Sequence, residues 1–163
     1  PLDDALRNVF RRLMASADIA PERVVFVPTG ADESHNQARY ALVDLVLDPM
    51  PYGGVNGTLE ALDMHVPVVT LRGMRHGERT SYSILANLGV TDTVADSGRE
   101  YVEIAVRLAE DMRFRTDVKA RIAAALAGSP LTDMQAHARH LEAAYLEALS
   151  RAAPDALDGA GAG

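Results

Sequence analysis

Residues Asp48–Gly73 read DPMPYGGVNGTLEALDMHVPVVTLRG. Within Asp48–Gly57 lie two prolines, a Gly-Gly pair and an Asn-Gly pair, which is turn chemistry too dense for any regular element. From about Asn56 to Met64 apolar residues return at helical spacing, and VPVVTL (Val66–Leu71) is a β-branched run of strand length. On the N-terminal side DLVLD (Asp44–Asp48) is a second apolar run. Strand, glycine loop, helix and strand make a β-α-β unit, and that unit requires a parallel sheet.

The rest of the chain extends the pattern. Leu2–Ala17 carries Leu2, Ala5, Leu6, Val9, Phe10 and Leu13 at helical spacing. RVVFVP (Arg23–Pro28) predicts a strand stopped by proline, and Glu33–Leu42 a helix. Gly77–Leu88 predicts a helix closed by Gly89, and DTVA (Asp92–Ala95) a short strand. Three further helices are expected over Arg99–Glu110, Phe114–Leu126 and Met134–Arg151, and AAPDALDGAGAG (Ala152–Gly163) as a frayed tail. The expected class is α/β, a Rossmann-like parallel sheet with flanking helices and a helix-rich C-terminus. No internal repeat or dividing linker is visible, so residues 1–151 are expected as one lobe and 152–163 as its tail. The opening helix, where a doubly wound domain opens on a strand, points to a fragment lacking its first β-α unit.

Composition narrows the function. The chain of 163 residues has 48% hydrophobic content, which excludes wholesale disorder. No apolar run reaches the roughly 20 residues of a membrane span, so no membrane partner is expected. It has no cysteine, hence no disulfide framework or thiolate metal site, and a cytoplasmic location is expected. A net charge of −7 argues against a general nucleic-acid binder. The cations are lopsided, with fifteen arginines and one lysine, Lys119.

In open α/β sheets, ligands bind outside the carboxyl ends of the strands. Asp48 ends a strand, the glycines let backbone approach a ligand, and a helix start offers free N–H groups and about +0.5 charge to an anion. Asn56 or Thr58 is expected to cap that helix, with Glu60 in its first turn accepting from hydroxyls such as a ribose diol. A phosphate-plus-sugar ligand fits; an ordinary tight turn at Gly53–Gly54 with an ordinary cap at Asn56 fits the same residues. RGMRHGER (Arg72–Arg79) is expected beside the loop, concentrating Arg72, Arg75, His76 and Arg79 in an otherwise acidic chain. Such local compensation is what an acidic protein needs to hold an anion. PTGADESHNQARY (Pro28–Tyr40) places His35 near another helix start.

LVLDPMPYGGVNGTLEALDMHVPVVTLRG, Arg79 six residues on, LGV (Leu88–Val90), REYVEIAVRLAED (Arg99–Asp111) and SPLTD (Ser129–Asp133) together resemble the C-terminal catalytic lobe of the O-GlcNAc transferase family, glycosyltransferase family 41. That family includes the SPINDLY-like proteins and the bacterial N-glycosyltransferases of adhesins, and the resemblance runs from about Arg23 to Leu149. It implies a GT-B enzyme of two Rossmann-like lobes, inverting and metal-independent, with no separate cofactor. The donor would be UDP-GlcNAc or UDP-glucose and the acceptor a protein. Carried over, Gly30 falls where the family offers backbone to uracil and His35 near a histidine that contacts the nucleotide. Gly54, Val55, Asn56, Gly57 and Thr58 occupy the loop and helix start that hold the diphosphate. Glu60 corresponds to the acid on the ribose hydroxyls and Arg79 to a recurrent arginine; no catalytic residue is assigned.

Several positions depart from the pattern. Val55 stands where the O-GlcNAc branch has a phosphate donor, which shifts that contact to backbone N–H groups. Asp32 falls near a family lysine by the uridine, and His65 replaces a helix-ending glycine at a local cost. The family's phosphate-binding lysine lies on a strand-helix unit upstream of Arg23, whereas Lys119 lies in a late helix. The N-terminal lobe, with any upstream helical repeats, is an expected partner, without which the active site would be incomplete. Three classes therefore stay open: the UDP-binding lobe of a protein glycosyltransferase, a GT-B enzyme acting on a small molecule or glycan, and a non-catalytic sugar-nucleotide or interaction module.

Overall fold

The computed structural model describes residues 4–28, 30 and 32–152. The chain divides into two compact units, Pro1–Val43 and Asp44–Gly163.

In the first unit, helix α1 (Asp4–Ser16) carries the apolar stripe Leu6, Val9, Phe10 and Leu13. Phe10 meets Phe26 edge to face at 6.1 Å, and the Arg7 guanidinium lies 5.1 Å from the Phe26 ring. Residues Arg23–Pro28, expected as a strand, form no strand. Val24 has extended torsions (φ −111°, ψ 114°), and the described residues of this unit offer no second strand to pair with. A β-branched run encodes extended backbone, but a strand exists only where a neighbour takes its N–H and C=O groups. Helix α2 (Glu33–Ala38) follows and tightens into a 3₁₀ turn over Arg39–Leu42.

The second unit holds the sheet. Strands β1 (Val46–Leu47), β2 (Val68–Leu71) and β3 (Val94–Ala95) lie side by side in chain order, all parallel, with Val46 opposite Val68 and Thr70 opposite Val94. Helix α3 (Asn56–Asp63) connects the first pair and α4 (Thr80–Leu88) the second. The expected helix at Gly77 is split, a 3₁₀ turn over His76–Glu78 preceding α4. Val68, Val69 and Thr70 are all at most 1% exposed, so successive side chains on both faces of β2 are covered, as in a parallel central strand. Around β2 pack α3, α4 and α5 (Gly98–Glu110), and α6 (Met112–Leu126) packs against these three helices. Leu62, Leu85, Leu108, Val118 and Ile122 close the core.

Local signals set the helix ends. Ser97 accepts from the Glu100 amide at 3.2 Å to start α5, and Asp111 from the Phe114 amide at 3.0 Å to start α6. The ends of α3 and α4 are the same motif with different residues. Val66 donates to the Ala61 carbonyl and His65 to Leu62, both at 2.8 Å; Val90 donates to Leu85 at 3.0 Å and Gly89 to Ala86 at 3.1 Å. Both are Schellman closures, which need one left-handed residue. Gly89 adopts φ 69° freely, while His65 is held at φ 55° with a Cβ. Helix α7 (Met134–Ala152) follows, and no residue of it is buried. Its LEAAYLEAL segment therefore does not cover this unit's core. The tail residues 153–163 lie outside the described residues.

Replacing His65 by glycine relieves the left-handed strain and returns part of the gain as chain entropy. A net stabilisation of about 0.5–1 kcal/mol is expected in urea unfolding; an unchanged or lower midpoint would contradict it. Thr93 is 1% exposed, and its Oγ1 has no hydrogen-bond partner among the described residues. Thr93→Val keeps the shape and removes the orphan hydroxyl, so it is expected to stabilise by about 1 kcal/mol, read by thermal melting.

Candidate nucleotide-sugar site

The site is built on the carboxyl end of β1. Continuing the β1–β2 register by one residue sets Asp48 beside Thr70, and the Asp48 amide donates to the Val69 carbonyl at 2.9 Å. Asp48 is only 6% exposed. Its carboxylate accepts from Thr70 Oγ1 at 2.7 Å and from the Gly54 amide at 2.6 Å, while its carbonyl accepts from Tyr101 Oη at 3.0 Å. A buried carboxylate is tolerable only with such partners. Burial, with the charge of Asp48 adding, pushes the Tyr101 phenol above its ordinary pKa.

This tie folds the glycine loop back over the strand end. The Gly54 carbonyl accepts from Ser81 Oγ at 2.8 Å and from Thr58 Oγ1 at 3.1 Å, and the two hydroxyls lie 2.9 Å apart. The Gly53 amide donates to the Gly77 carbonyl at 3.1 Å, which joins the loops after β1 and β2 as expected. A Cβ on Gly53 would come within 2.8 Å of Thr80 Oγ1, and one on Gly54 within 3.0 Å of Thr58 Oγ1. The Gly-Gly pair thus makes room for the protein's own side chains, and the Gly54 amide is already taken by Asp48.

The sequence expectations need three corrections at α3. Neither Asn56 nor Thr58 caps it: Val55 holds the N-cap position and offers no side-chain acceptor. Thr58, the third helical residue, is buried with its hydroxyl turned to Gly54 and Ser81. Glu60 is the fifth helical residue, beyond the first turn, and is half-buried. What the loop leaves open is backbone. Among the described residues no protein acceptor takes the amides of Val55, Asn56, Gly57 and Thr58, and Val55 and Asn56 are exposed.

Val55 also lines a cleft of about 350 Å³ with His76, Arg79, Thr80, Tyr82, Ser83 and Ile84. Arg79 reaches this wall from the start of α4, its Nη1 donating to the Gly73 carbonyl at 3.0 Å and its guanidinium 4.8 Å from the Tyr82 ring. Arg72 pairs with Asp96 at 2.6 Å and ties the carboxyl ends of β2 and β3. Glu78 accepts from the Met74 and Arg75 amides at 3.0 and 3.1 Å, and these two amides, Arg75 foremost, hold its carboxyl below the ordinary range.

Gly30 and His35 belong to the first unit. The Gly30 amide donates to Asn36 Oδ1 at 2.7 Å, and a Cβ there would come within 2.5 Å of His35 Cβ. Asp32 caps α2 by accepting from the His35 amide at 2.9 Å, and its carboxylate also meets His35 Nδ1 at 2.8 Å and Ser34 Oγ at 2.8 Å. The His35 amide and ring and Ser34 hold Asp32 below its ordinary pKa, which gives this departure from the family pattern a structural task. The structure therefore gathers Gly54, Val55, Asn56, Gly57, Thr58, Glu60 and Arg79 in one unit. Asp48, Thr70, Ser81 and Tyr101 went unread as supports; the available signal was a polar residue just after β1, Asp48, and another within the apolar run of β2, Thr70.

A sequence profile of glycosyl transferase family 41 matches residues 6–141. The chain belongs to this family. Among family-41 relatives, the probable UDP-N-acetylglucosamine–peptide N-acetylglucosaminyltransferase SPINDLY of Oryza sativa subsp. japonica is 36% identical over 143 residues, 87% of this chain and 15% of that protein. Its Petunia hybrida counterpart is 33% identical over 142 residues, with the same shares. The solved structure of a Thermobaculum terrenum O-GlcNAc transferase mutant matches with a TM-score of 0.82 at 29% identity, covering 88% of this chain and 27% of that one. The chain thus spans about 15% of the length of these curated relatives. Family membership agrees with the resemblance read from the sequence, as the parallel Rossmann-like sheet does with the expected fold class.

Asp48→Ala would leave the Gly54 amide and the Thr70 hydroxyl without their acceptor. A loss of about 3 kcal/mol is expected in urea unfolding; a loss below about 1 kcal/mol would mean the carboxylate does not hold the loop.

Proposed function

We propose that this chain is the UDP-sugar-binding lobe of a protein glycosyltransferase, with UDP-N-acetylglucosamine or UDP-glucose as donor and protein side chains as acceptors. The observation that carries the proposal is the run of unclaimed amides from Val55 to Thr58, at the start of α3 and on the carboxyl edge of a parallel sheet. A diphosphate is the ligand class such a start accommodates, because N–H groups and helix dipole act together. Family membership supports the reading, as do relatives named as peptide N-acetylglucosaminyltransferases.

The chemistry follows from charge. Transfer of the sugar leaves UDP with one more negative charge on its terminal phosphate, and donors fixed before the reaction stabilise that charge as it develops. The Asp48–Gly54 tie and the Thr58–Ser81 contact hold the amides without further reorganisation. Arg79 supplies a positive charge on the adjoining cleft wall, and Glu60, one turn into α3, is assigned to the ribose hydroxyls. We place the remaining groups for chemistry in a second lobe outside this chain, and the protein at its natural length in the cytoplasm.

Calorimetry with UDP on the full-length protein tests the site. Asn56→Ala removes the exposed carboxamide donor at the first helical position, beside the open amides, and is expected to weaken UDP and to lower kcat/KM by about 10²-fold. Lys119→Ala, on α6, is expected to leave both unchanged. No binding at millimolar UDP would overturn the proposal; so would equal weakening by the two variants.

A further inference from the structure

His76 is the member of the cleft wall that the donor-site reading leaves without a task. It opens the 3₁₀ turn His76–Glu78, its side chain is exposed, and its ring has no hydrogen-bond partner among the described residues. It lines the 350 Å³ cleft shared with Val55 and Arg79. It also lines a second hollow of about 300 Å³, with Pro51, Tyr52, Arg75, Gly77 and Glu78, and so stands where the two meet. Val55 is the N-cap of α3, so the imidazole shares a wall with the first residue whose amide is open.

The charges around it are of two kinds. Arg75 and Arg79 stand on its own segment and are cationic at any working pH. Glu78 is held ionised through the neutral range by the Arg75 and Met74 amides. Tyr52, from the loop after β1, and Tyr82, from α4, add phenols to the same walls. Imidazole is the side chain whose charge changes between about pH 5 and 8. Of the seven residues lining the cleft, His76 is the one that carries an imidazole.

We propose that His76 is a further donor-binding residue, engaging the diphosphate of the sugar nucleotide as an imidazolium, so that donor affinity rises as pH falls through the histidine range. The proposal rests on the donor-site reading above. The sign follows from linkage: an anion that binds the protonated ring more tightly than the neutral one is held best at low pH.

The probe is UDP-N-acetylglucosamine, whose diphosphate is esterified at both ends and keeps its charge across the window. It is titrated by calorimetry into the full-length protein, without acceptor, at about pH 5.5 and about pH 8. The natural protein is expected to bind about three- to tenfold more tightly at the lower pH. His76→Gln should lose most of that pH dependence and match the natural protein at the higher pH. His76→Arg, which keeps the charge throughout, should bind at the higher pH as tightly as the natural protein does at the lower. The proposal is overturned if His76→Gln retains the natural pH dependence, or if His76→Arg gains nothing over His76→Gln at the higher pH. Absence of binding by all three proteins at both pH values would instead sink the donor site itself.

Discussion

The geometry of this site hangs on one buried carboxylate. Asp48 ends β1 at a point where an ion can survive only if its oxygens are claimed, and Thr70 and the Gly54 amide claim them. That demand turns the chain back over the strand end and brings the Gly54 carbonyl under Ser81 and Thr58. It sets α3 running from Asn56 with its leading amides open. Because the tie joins β1, β2 and the glycine loop, and the Tyr101 phenol adds α5, four elements share the fixing of one helix start.

The same constraint explains the glycines. Gly53 borders Thr80 too closely for a Cβ, and Gly54 leaves one only a tight fit against Thr58 and Asp48, so their absence of side chain serves internal packing. The open backbone begins at the next residue, Val55, whose side chain offers no hydrogen-bonding group. Charge is arranged in the same economical way. The chain carries a net −7, yet Arg72, Arg75, His76 and Arg79 follow β2 within eight residues, and His76 and Arg79 share a cleft with Val55. Part of that positive charge is committed: Arg72 to Asp96, and Arg79 to the Gly73 carbonyl and the Tyr82 ring. His76 keeps its ring free of protein partners among the described residues.

Strain and exposure appear where the unit departs from the simplest solution. His65 holds a left-handed torsion that Gly89 adopts without penalty in the matching closure of α4. Helix α7 presents Leu141, Tyr145, Leu146 and Leu149 on a segment with no buried residue. Its apolar periodicity states that the helix is amphipathic and leaves open what its apolar side meets.

Much was legible in the sequence because the signals were local. Alternating β-branched runs and helical spacing gave the order of β1, α3, β2, α4 and β3, and Gly89 marked a helix end correctly, since turn chemistry depends on a few neighbouring residues. Asp48–Gly73 likewise announced a loop and helix start at a sheet edge. Arg23–Pro28 misled, because β-branched residues specify extended backbone while pairing is supplied by a neighbour that sequence does not display. The cap of α3 was misassigned for a related reason. Thr58 reads as a capping residue, but Ser81, 23 residues away, claims its hydroxyl. Asp48 and Thr70 looked unremarkable 22 residues apart until strand register set them side by side. Short-range propensity thus determined the elements and the position of the loop. Which amides face outward, and which side chain holds them there, was decided by contacts between residues distant in the chain, whose energies exist only once the sheet has formed.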